Sequence, residues 1–132
     1  FTDSFIIVTV KTLAQAGVSL GWQYVQEYGF TTVDSRDMND ALALGGITQG
    51  VSNLELTAAY AAIANQGTYI KPKFYTKILD HDGNVLIDYT TPESHTVIKD
   101  TTAWLLTSDM EDVMTSGAGT SAYFGSSMAQ AG

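Results

Sequence analysis

The spacing of apolar residues in the first part of the chain predicts two successive helices. In residues 5–17, apolar side chains recur every three or four positions, which is the period of a helix with one buried face. Gly17 is expected to end this helix, because glycine readily adopts the left-handed conformation found after helix C-termini. Ser19 is then predicted to cap a second helix, Leu20–Tyr28, which Gly29 ends.

The third helix has the clearest start signal, after a polar segment, 31–40, that is predicted to be a surface connection. Ser52 and Glu55 have the spacing of a capping box, in which each side chain accepts a hydrogen bond from the other residue's amide. Gly67 is expected to close the helix. The side chains predicted to face inward are Leu56, Ala59, Tyr60, Ile63 and Ala64.

After Tyr69 the pattern changes to short β-prone runs. Residues 74–79 and 85–89 flank a hairpin turn sequence, Asp80-His81-Asp82-Gly83-Asn84, in which Gly83 and Asn84 tolerate positive φ. Residues 95–98 are predicted to be a short strand. Asp100 is predicted to cap a last long helix, 101–116. Its predicted apolar side consists of Leu105, Leu106, Met110, Val113 and Met114.

Four helices and one hairpin do not provide a sheet large enough to cover the helices. A two-stranded hairpin is only marginally stable in water. We therefore expect these helices to pack on strands that another segment contributes.

Composition excludes several classes of function. The chain is 45% hydrophobic, which suits a packed core, and its net charge of −8 leaves no basic stripe for nucleic acid or an anionic membrane surface. It contains no cysteine, which removes thiolate metal sites and thiol nucleophiles. The longest apolar run, near 5–10, is too short to span a bilayer, so we expect any membrane anchor to lie outside this sequence. No metal or cofactor is predicted.

Without family information, the polar residues suggest little chemistry. His81 falls in the hairpin turn and His95 beside a strand, and each is expected to be an isolated surface residue. The aspartates of 80–84 suit a turn better than a calcium loop, because the EF-hand spacing is absent. The glycines at 117–119 follow a helix instead of opening one, so they indicate a helix end and not a phosphate site. Asp109, Glu111 and Asp112 are expected to form a solvated helix face.

A series of stretches nevertheless forms a specific pattern. It consists of Val10-Lys11-Thr12-Leu13; Tyr28-Gly29-Phe30; residues 43–56, with Gly-Gly-Ile-Thr-Gln-Gly-Val-Ser at 45–52; residues 58–69, with Ala-Tyr-Ala-Ala-Ile-Ala-Asn-Gln-Gly at 59–67; 102–110; and the Gly117, Gly119, Ala122 spacing. In order and content this series resembles the transpeptidase domain of class A penicillin-binding proteins. The resemblance covers essentially the whole chain.

The resemblance implies an α+β fold of the penicillin-binding and β-lactamase type, an α/β sandwich in which helices flank a central antiparallel sheet beside an all-helical lobe. This chain would supply a mostly helical part with a β-hairpin. Residues 1–68 would belong to the helical lobe, 69–99 to the hairpin and strand region, and 100–132 to the late helix and the approach to the Lys-Thr-Gly strand.

That family uses three motifs: Ser-x-x-Lys with the nucleophile, Ser-x-Asn, and Lys-Thr-Gly. Ser-x-x-Lys occurs nowhere in the chain. By resemblance it is expected before Phe1, and Lys-Thr-Gly directly after Gly132. Spacing from Val10 places the second motif at Ser4-Phe5-Ile6. Ser4 is then either a proton relay or a helix N-cap, and Ile6 replaces the asparagine whose amide would contact substrate.

Three hypotheses follow from the resemblance. The chain is part of a serine D,D-transpeptidase, active only together with its flanking segments. Alternatively, it is a non-catalytic module that binds peptidoglycan or a protein partner, or a fragment without activity of its own. In the first case its partners are the rest of the domain and, through it, peptidoglycan stem peptides and β-lactams. It would then lie at the extracytoplasmic face of a bacterial cytoplasmic membrane without touching the membrane itself.

Overall fold

A computed structural model of the chain describes residues 3, 5–125 and 130–131. Within them, the α-helices are α1 (Ile6–Ala16), α2 (Val18–Glu27), α3 (Asn53–Ala64) and α4 (Asp100–Thr115). The strands are β1 (Thr68–Ile70), β2 (Lys77–Leu79), β3 (Val85–Asp88) and β4 (Ser94–Thr96). Short 3-10 helices occupy Ser35–Asp37, Asp40–Leu44 and Thr120–Ala122.

The first two helices form as predicted, but Ser19 is not the cap between them. Gly17 both ends α1 and precedes α2, with a φ of 100° that a non-glycine residue rarely adopts. Because α2 already begins at Val18, Ser19 lies in its first turn and the predicted cap is wrong. After Tyr28, Gly29 has a φ of 83° and ends the helix as expected.

The capping box of α3 is confirmed. The Glu55 amide donates to the Ser52 hydroxyl (3.2 Å), and the Ser52 amide donates to the Glu55 carboxylate (3.0 Å). The predicted inward face is partly wrong, because Leu56 and Tyr60 are 42% and 52% exposed, and Ala64 is exposed as well. The side chains that α3 buries are Ala58, Ala59 and Ala62. Both β1 and α4 pack on this helix, and its alanine face allows their close approach.

The strands form two separate two-stranded antiparallel sheets. The predicted hairpin is confirmed as β2 and β3, with Ile78 opposite Ile87. Its turn contains Gly83 at a φ of 86°, whereas Asn84 does not take up positive φ. In the other sheet, β4 pairs with β1, a strand that the sequence did not indicate, and Tyr69 lies opposite His95.

The last helix is confirmed, but its cap and part of its buried side differ from the prediction. The chain enters α4 at Lys99, so Asp100 is already its first residue, and its side chain accepts from the neighbouring Thr101 amide (2.7 Å). Ala103 and Met110 are buried, and Leu106, Val113 and Met114 are half-buried. Leu105, predicted to face inward, is 58% exposed.

The core of the described residues is small. It joins α3 to the β1–β4 sheet and consists of Ala58, Ala62, Tyr69 and Val97, with Tyr28 and Ile98 packed around them. Neither α1 nor α2 contributes a fully buried residue. Trp104 on α4 is 69% exposed beside an open, largely apolar groove of about 650 Å³ between α3 and α4. Large apolar faces of the helices are thus uncovered in the chain by itself.

Candidate functional site

The N-terminus of α1 carries the second-motif position expected from the resemblance. Ser4 lies outside the described residues. Ile6 is the first residue of α1 and is 61% exposed, while Phe5 precedes it as an N-cap without a side-chain hydrogen bond to the helix. The side chain that the resemblance assigns to the asparagine position is therefore an exposed hydrocarbon. The assignment of Ser4 and Ile6 to the motif stays a prediction.

Two elements pack against α1. One is α2, where Gly21 lies so close to Leu13 that a Cβ at position 21 would collide with the leucine side chain. The other is the 3-10 helix Asp40–Leu44, which packs against α1 and, less extensively, against α2. The loop that carries this 3-10 helix is therefore in direct contact with α1.

A buried carboxylate closes that loop at its base. Asp37 has no exposed surface. Its Oδ1 accepts from the Thr48 amide (2.8 Å) and the Thr48 hydroxyl (2.6 Å), and its Oδ2 accepts from the Asp34 amide (3.1 Å). These hydrogen bonds, the Thr48 hydroxyl first, lower the pKa of Asp37 from its ordinary value. The sequence placed this residue in a surface connection, so that prediction is wrong for Asp37.

Asp34 belongs to the same segment but faces solvent. Its carboxylate pairs with the Arg36 guanidinium (2.7 Å) and also accepts from the Arg36 amide (2.9 Å) and from Gln49 (3.3 Å). Hydrogen bonds from Arg36 hold the pKa of Asp34 well below its usual range. The Trp22 indole donates to the Asp34 carbonyl (3.0 Å), which ties the segment to α2.

A third carboxylate, that of Glu55, joins the beginning of the 31–40 segment to the start of α3. Glu55 accepts from the Thr31 hydroxyl (2.6 Å) and amide (3.0 Å), in addition to its bonds with Ser52. The Thr31 hydroxyl makes the largest contribution to lowering the pKa of Glu55 to about 2, followed by the Ser52 amide. The sequence motif revealed the capping box, but it gave no sign of the bonds to Thr31.

The histidines do not come together. His81 is exposed in the hairpin turn next to Asp82 (3.2 Å). His95 contacts the Tyr69 ring, and its Nε2 lies 2.8 Å from the Glu27 carbonyl oxygen at the end of α2, so it connects β4 to that helix. The sequence did not anticipate this second contact.

The remaining acidic groups serve local structure. Asp80 accepts from the amides of Asp82 (2.9 Å) and Asn84 (2.8 Å), which makes it a turn residue. The acidic side chains of α4 are exposed as predicted. After α4 the chain packs back on the helix, since the Gly119 amide donates to the Val113 carbonyl (3.0 Å).

Over the described ranges, no three side chains of the types that bind metals are close enough to form a metal site. None of the helices in the described ranges combines the length and the hydropathy that a bilayer span requires.

Comparison with known proteins identifies the fold and the family. Residues 7–131 match the family model for the penicillin binding protein transpeptidase domain. The structure superposes on a crystal structure of penicillin-binding protein 1A from Haemophilus influenzae with a TM-score of 0.72 and 22% identity, covering 89% of this chain and 22% of that one. This likeness confirms the predicted fold class, an α+β transpeptidase fold of which this chain forms a mostly helical part.

Curated relatives agree with the family match. Penicillin-binding protein 1F of Bacillus subtilis (strain 168) is 38% identical over 112 residues, which are 85% of this chain and 15% of that protein. Penicillin-binding protein 1A of Clostridium novyi (strain NT) is 33% identical over 97 residues, 72% of this chain and 11% of that protein. Penicillin-binding protein 4 of Bacillus subtilis (strain 168) is 30% identical over 124 residues, which are 94% of this chain and 20% of that protein. The chain spans a fifth or less of each of these relatives, and it belongs to the penicillin-binding protein transpeptidase domain family.

Proposed function

We propose that this chain is one part of a serine D,D-transpeptidase domain that cross-links peptidoglycan stem peptides and is acylated by β-lactams. The observation that carries the proposal is the family match over residues 7–131. By resemblance, the serine of Ser-x-x-Lys attacks the carbonyl carbon of the D-Ala-D-Ala bond and forms an acyl-enzyme. The chain has no Ser-x-x-Lys, so the nucleophile comes from another segment.

The exposed apolar faces support a role as part of a larger domain. Ile7 on α1 and Trp104 on α4 are 70% and 69% exposed, on helices that in an independent domain would bury such side chains. In the proposed assembly, segments carrying Ser-x-x-Lys and Lys-Thr-Gly pack on these faces. Residues 1–68 then belong to the helical lobe, 69–99 to the hairpin region, and 100–132 lead to the Lys-Thr-Gly strand.

Within this proposal the N-terminus of α1 faces the substrate. Ser4 takes the place of the proton-relaying serine of the second motif, and Ile6 takes the place of the asparagine that would bind the stem peptide. A stem peptide or β-lactam is therefore bound by the complete domain, at the extracytoplasmic face of the membrane where peptidoglycan is made.

A second candidate function is a non-catalytic module that binds peptidoglycan or a protein partner. The observation that favours it is Ile6, because an exposed isoleucine cannot donate or accept the hydrogen bond that the motif requires. On this alternative the transpeptidase fold is retained without the chemistry.

A chimera distinguishes the two functions. Residues 1–132 replace the matching segment of Bacillus subtilis penicillin-binding protein 1F, whose own flanking segments are kept. If the chain is a working part of a transpeptidase, a fluorescent penicillin labels the chimera covalently, and replacing the serine of the retained Ser-x-x-Lys by alanine abolishes the label. A folded chimera that stays unlabelled, both as it stands and after Ile6→Asn, would contradict the transpeptidase proposal and favour the binding module.

A further inference from the structure

Asp37 is the charged side chain that the described part of the chain buries completely, and the resemblance assigns it no role. Burying a carboxylate is costly unless its oxygens are hydrogen-bonded. Asp37 meets this condition with three donors: the amide and hydroxyl of Thr48 and the amide of Asp34. A group buried and satisfied in this way strongly constrains the backbone around it.

The bonds between Asp37 and Thr48 join residues eleven positions apart. They close a loop whose middle is the 3-10 helix Asp40–Leu44, which packs against α1. Inside the loop the Gly46 amide donates to the Ala41 carbonyl (2.9 Å), and a Cβ at Gly46 would collide with Ala41. The 3-10 helix is thus held at two places. The bonds between Asp37 and Thr48 close the base of the loop, and the bond from Gly46 to Ala41 lies near the end of the helix.

We propose that Asp37 and Thr48 are positioning residues for the acylation site, a proposal that rests on the proposed function. By closing the loop, they fix the 3-10 helix Asp40–Leu44 against α1. The first residue of α1 is Ile6, which stands at the asparagine position of the predicted second motif. Asp37 touches neither substrate nor nucleophile, and it acts on the reaction only through the placement of α1.

Four variants of the chimera test this placement. Thr48→Val keeps the shape of the side chain but removes the hydroxyl donor, and Thr48→Ser restores that donor. Asp37→Asn keeps one acceptor oxygen but turns an NH₂ group toward a donor that the carboxylate had satisfied. Asp109→Asn is the matched control, because it makes the same chemical change on an exposed carboxylate of α4, outside the loop that Asp37 and Thr48 close.

Labelling by fluorescent penicillin gives two separate readouts, the fraction of protein labelled and the rate constant of labelling. A merely structural role lowers the labelled fraction, because unfolded protein does not react, but leaves the rate constant of the folded fraction unchanged. A displaced α1 lowers the rate constant itself, and misplacement of a reacting group costs on the order of tenfold to a hundredfold.

We expect Thr48→Val and Asp37→Asn to lower the rate constant about tenfold or more, in line with such misplacement. Thr48→Ser and Asp109→Asn should stay within about twofold of the parent chimera, since neither removes a bond to the buried carboxylate. Unchanged rate constants in Thr48→Val and Asp37→Asn, or an equal fall in Asp109→Asn, would overturn the proposal. If Asp37→Asn does not fold, the comparison of Thr48→Val with Thr48→Ser decides.

Hydrogen exchange provides a readout that does not need acylation. In Thr48→Val, peptides that cover α1 should exchange faster than in Thr48→Ser, while peptides that cover the β2–β3 hairpin should not change. Unaltered protection of α1 would overturn the positioning role whether or not the chimera is labelled. Failure of the folded chimera to label, both as it stands and after Ile6→Asn, contradicts the proposed function alone, so the two failures are distinguishable.

Discussion

The hydroxyl of Tyr69, a residue of β1, lies directly against Gly29, which follows the end of α2. A Cβ at position 29 would overlap the phenolic oxygen and ring of Tyr69. Tyr69 is itself buried in the small core with Ala58 and Val97. Gly29 therefore has two functions: it ends α2 at a φ of 83°, and it leaves room for a core side chain.

Gly29→Ala should destabilise the domain more than the same change at Gly83. Both glycines have φ values near 85°, where a Cβ costs about 1–2 kcal/mol, but only Gly29 faces a neighbour. Overpacking against Tyr69 should add roughly 1–3 kcal/mol. Urea unfolding of the two chimera variants measures the difference. Equal losses of stability at the two positions would show that Tyr69 does not constrain Gly29.

Ile6→Asn should raise the rate at which fluorescent penicillin labels the chimera. One restored hydrogen bond to the substrate is worth on the order of 1–3 kcal/mol, or about tenfold to a hundredfold in rate. Ile6→Leu is the matched control, because it changes the same side chain without adding a group that can form a hydrogen bond. A rate that stays the same after Ile6→Asn would mean that Ser4-Phe5-Ile6 is not the second motif.

The isolated chain should form no covalent adduct with a fluorescent penicillin. None of its serines stands three residues before a lysine, so no hydroxyl has the neighbouring amine that activates the nucleophile in this family. Intact-mass analysis after incubation is the measurement, with Bacillus subtilis penicillin-binding protein 1F as the positive control. A stoichiometric adduct that maps to any serine of residues 1–132 would refute this prediction.

Glu55 should make the stability of the domain depend on pH under acidic conditions. Its pKa in the folded chain is about 2, below the value of about 4.3 for an unperturbed glutamate. The unfolded chain therefore takes up the proton first, and the stabilisation, complete at neutral pH, is lost as the pH falls from about 4.3 to the folded pKa.

Glu55→Gln removes this ionisation. The variant should melt at a lower temperature than the parent chimera at pH 7, and the difference should shrink as the pH falls through the same window. Melting temperatures at a series of pH values measure it. Glu111→Gln, an exposed position on α4, controls for the loss of one negative charge. A difference that is constant with pH would show that the bonds to Thr31 and Ser52 do not depend on the charge of Glu55.

The isolated chain should not behave as a stable monomer. Ile7, Phe74 and Trp104 are among its exposed large side chains, and each such side chain left in water forfeits roughly 1.5–3 kcal/mol of burial. A domain has only about 5–15 kcal/mol of net stability, so a few lost burials exhaust it. Size-exclusion chromatography with light scattering tests this. A monodisperse species of 14.1 kDa that melts cooperatively would favour an independent binding module.

Signals that act over a few residues were predictable from the sequence. The capping box at Ser52, the glycine ends of α1 and α2, and the turn at Gly83 all formed where the residue types required them. Each depends on a φ preference or on a hydrogen bond within one helical turn. The same reasoning failed at Ser19, because Gly17 already provided the non-helical residue from which α2 begins.

The order of the motifs likewise determined the family, since a series of short patterns in fixed order is a property of the sequence alone. Which helix faces are buried was decided by partners distant in sequence. Leu56 and Tyr60 are exposed because β1 and α4 pack on the alanine side of α3, and Asp37 is buried because Thr48 supplies two donors from across a loop. The spacing of apolar residues describes one helix in isolation, whereas the burial of a side chain depends on what packs against that helix. The sequence by itself therefore determined the glycine ends of α1 and α2, the start of α3 and the family, and only the tertiary structure decided which side chains face one another across the elements.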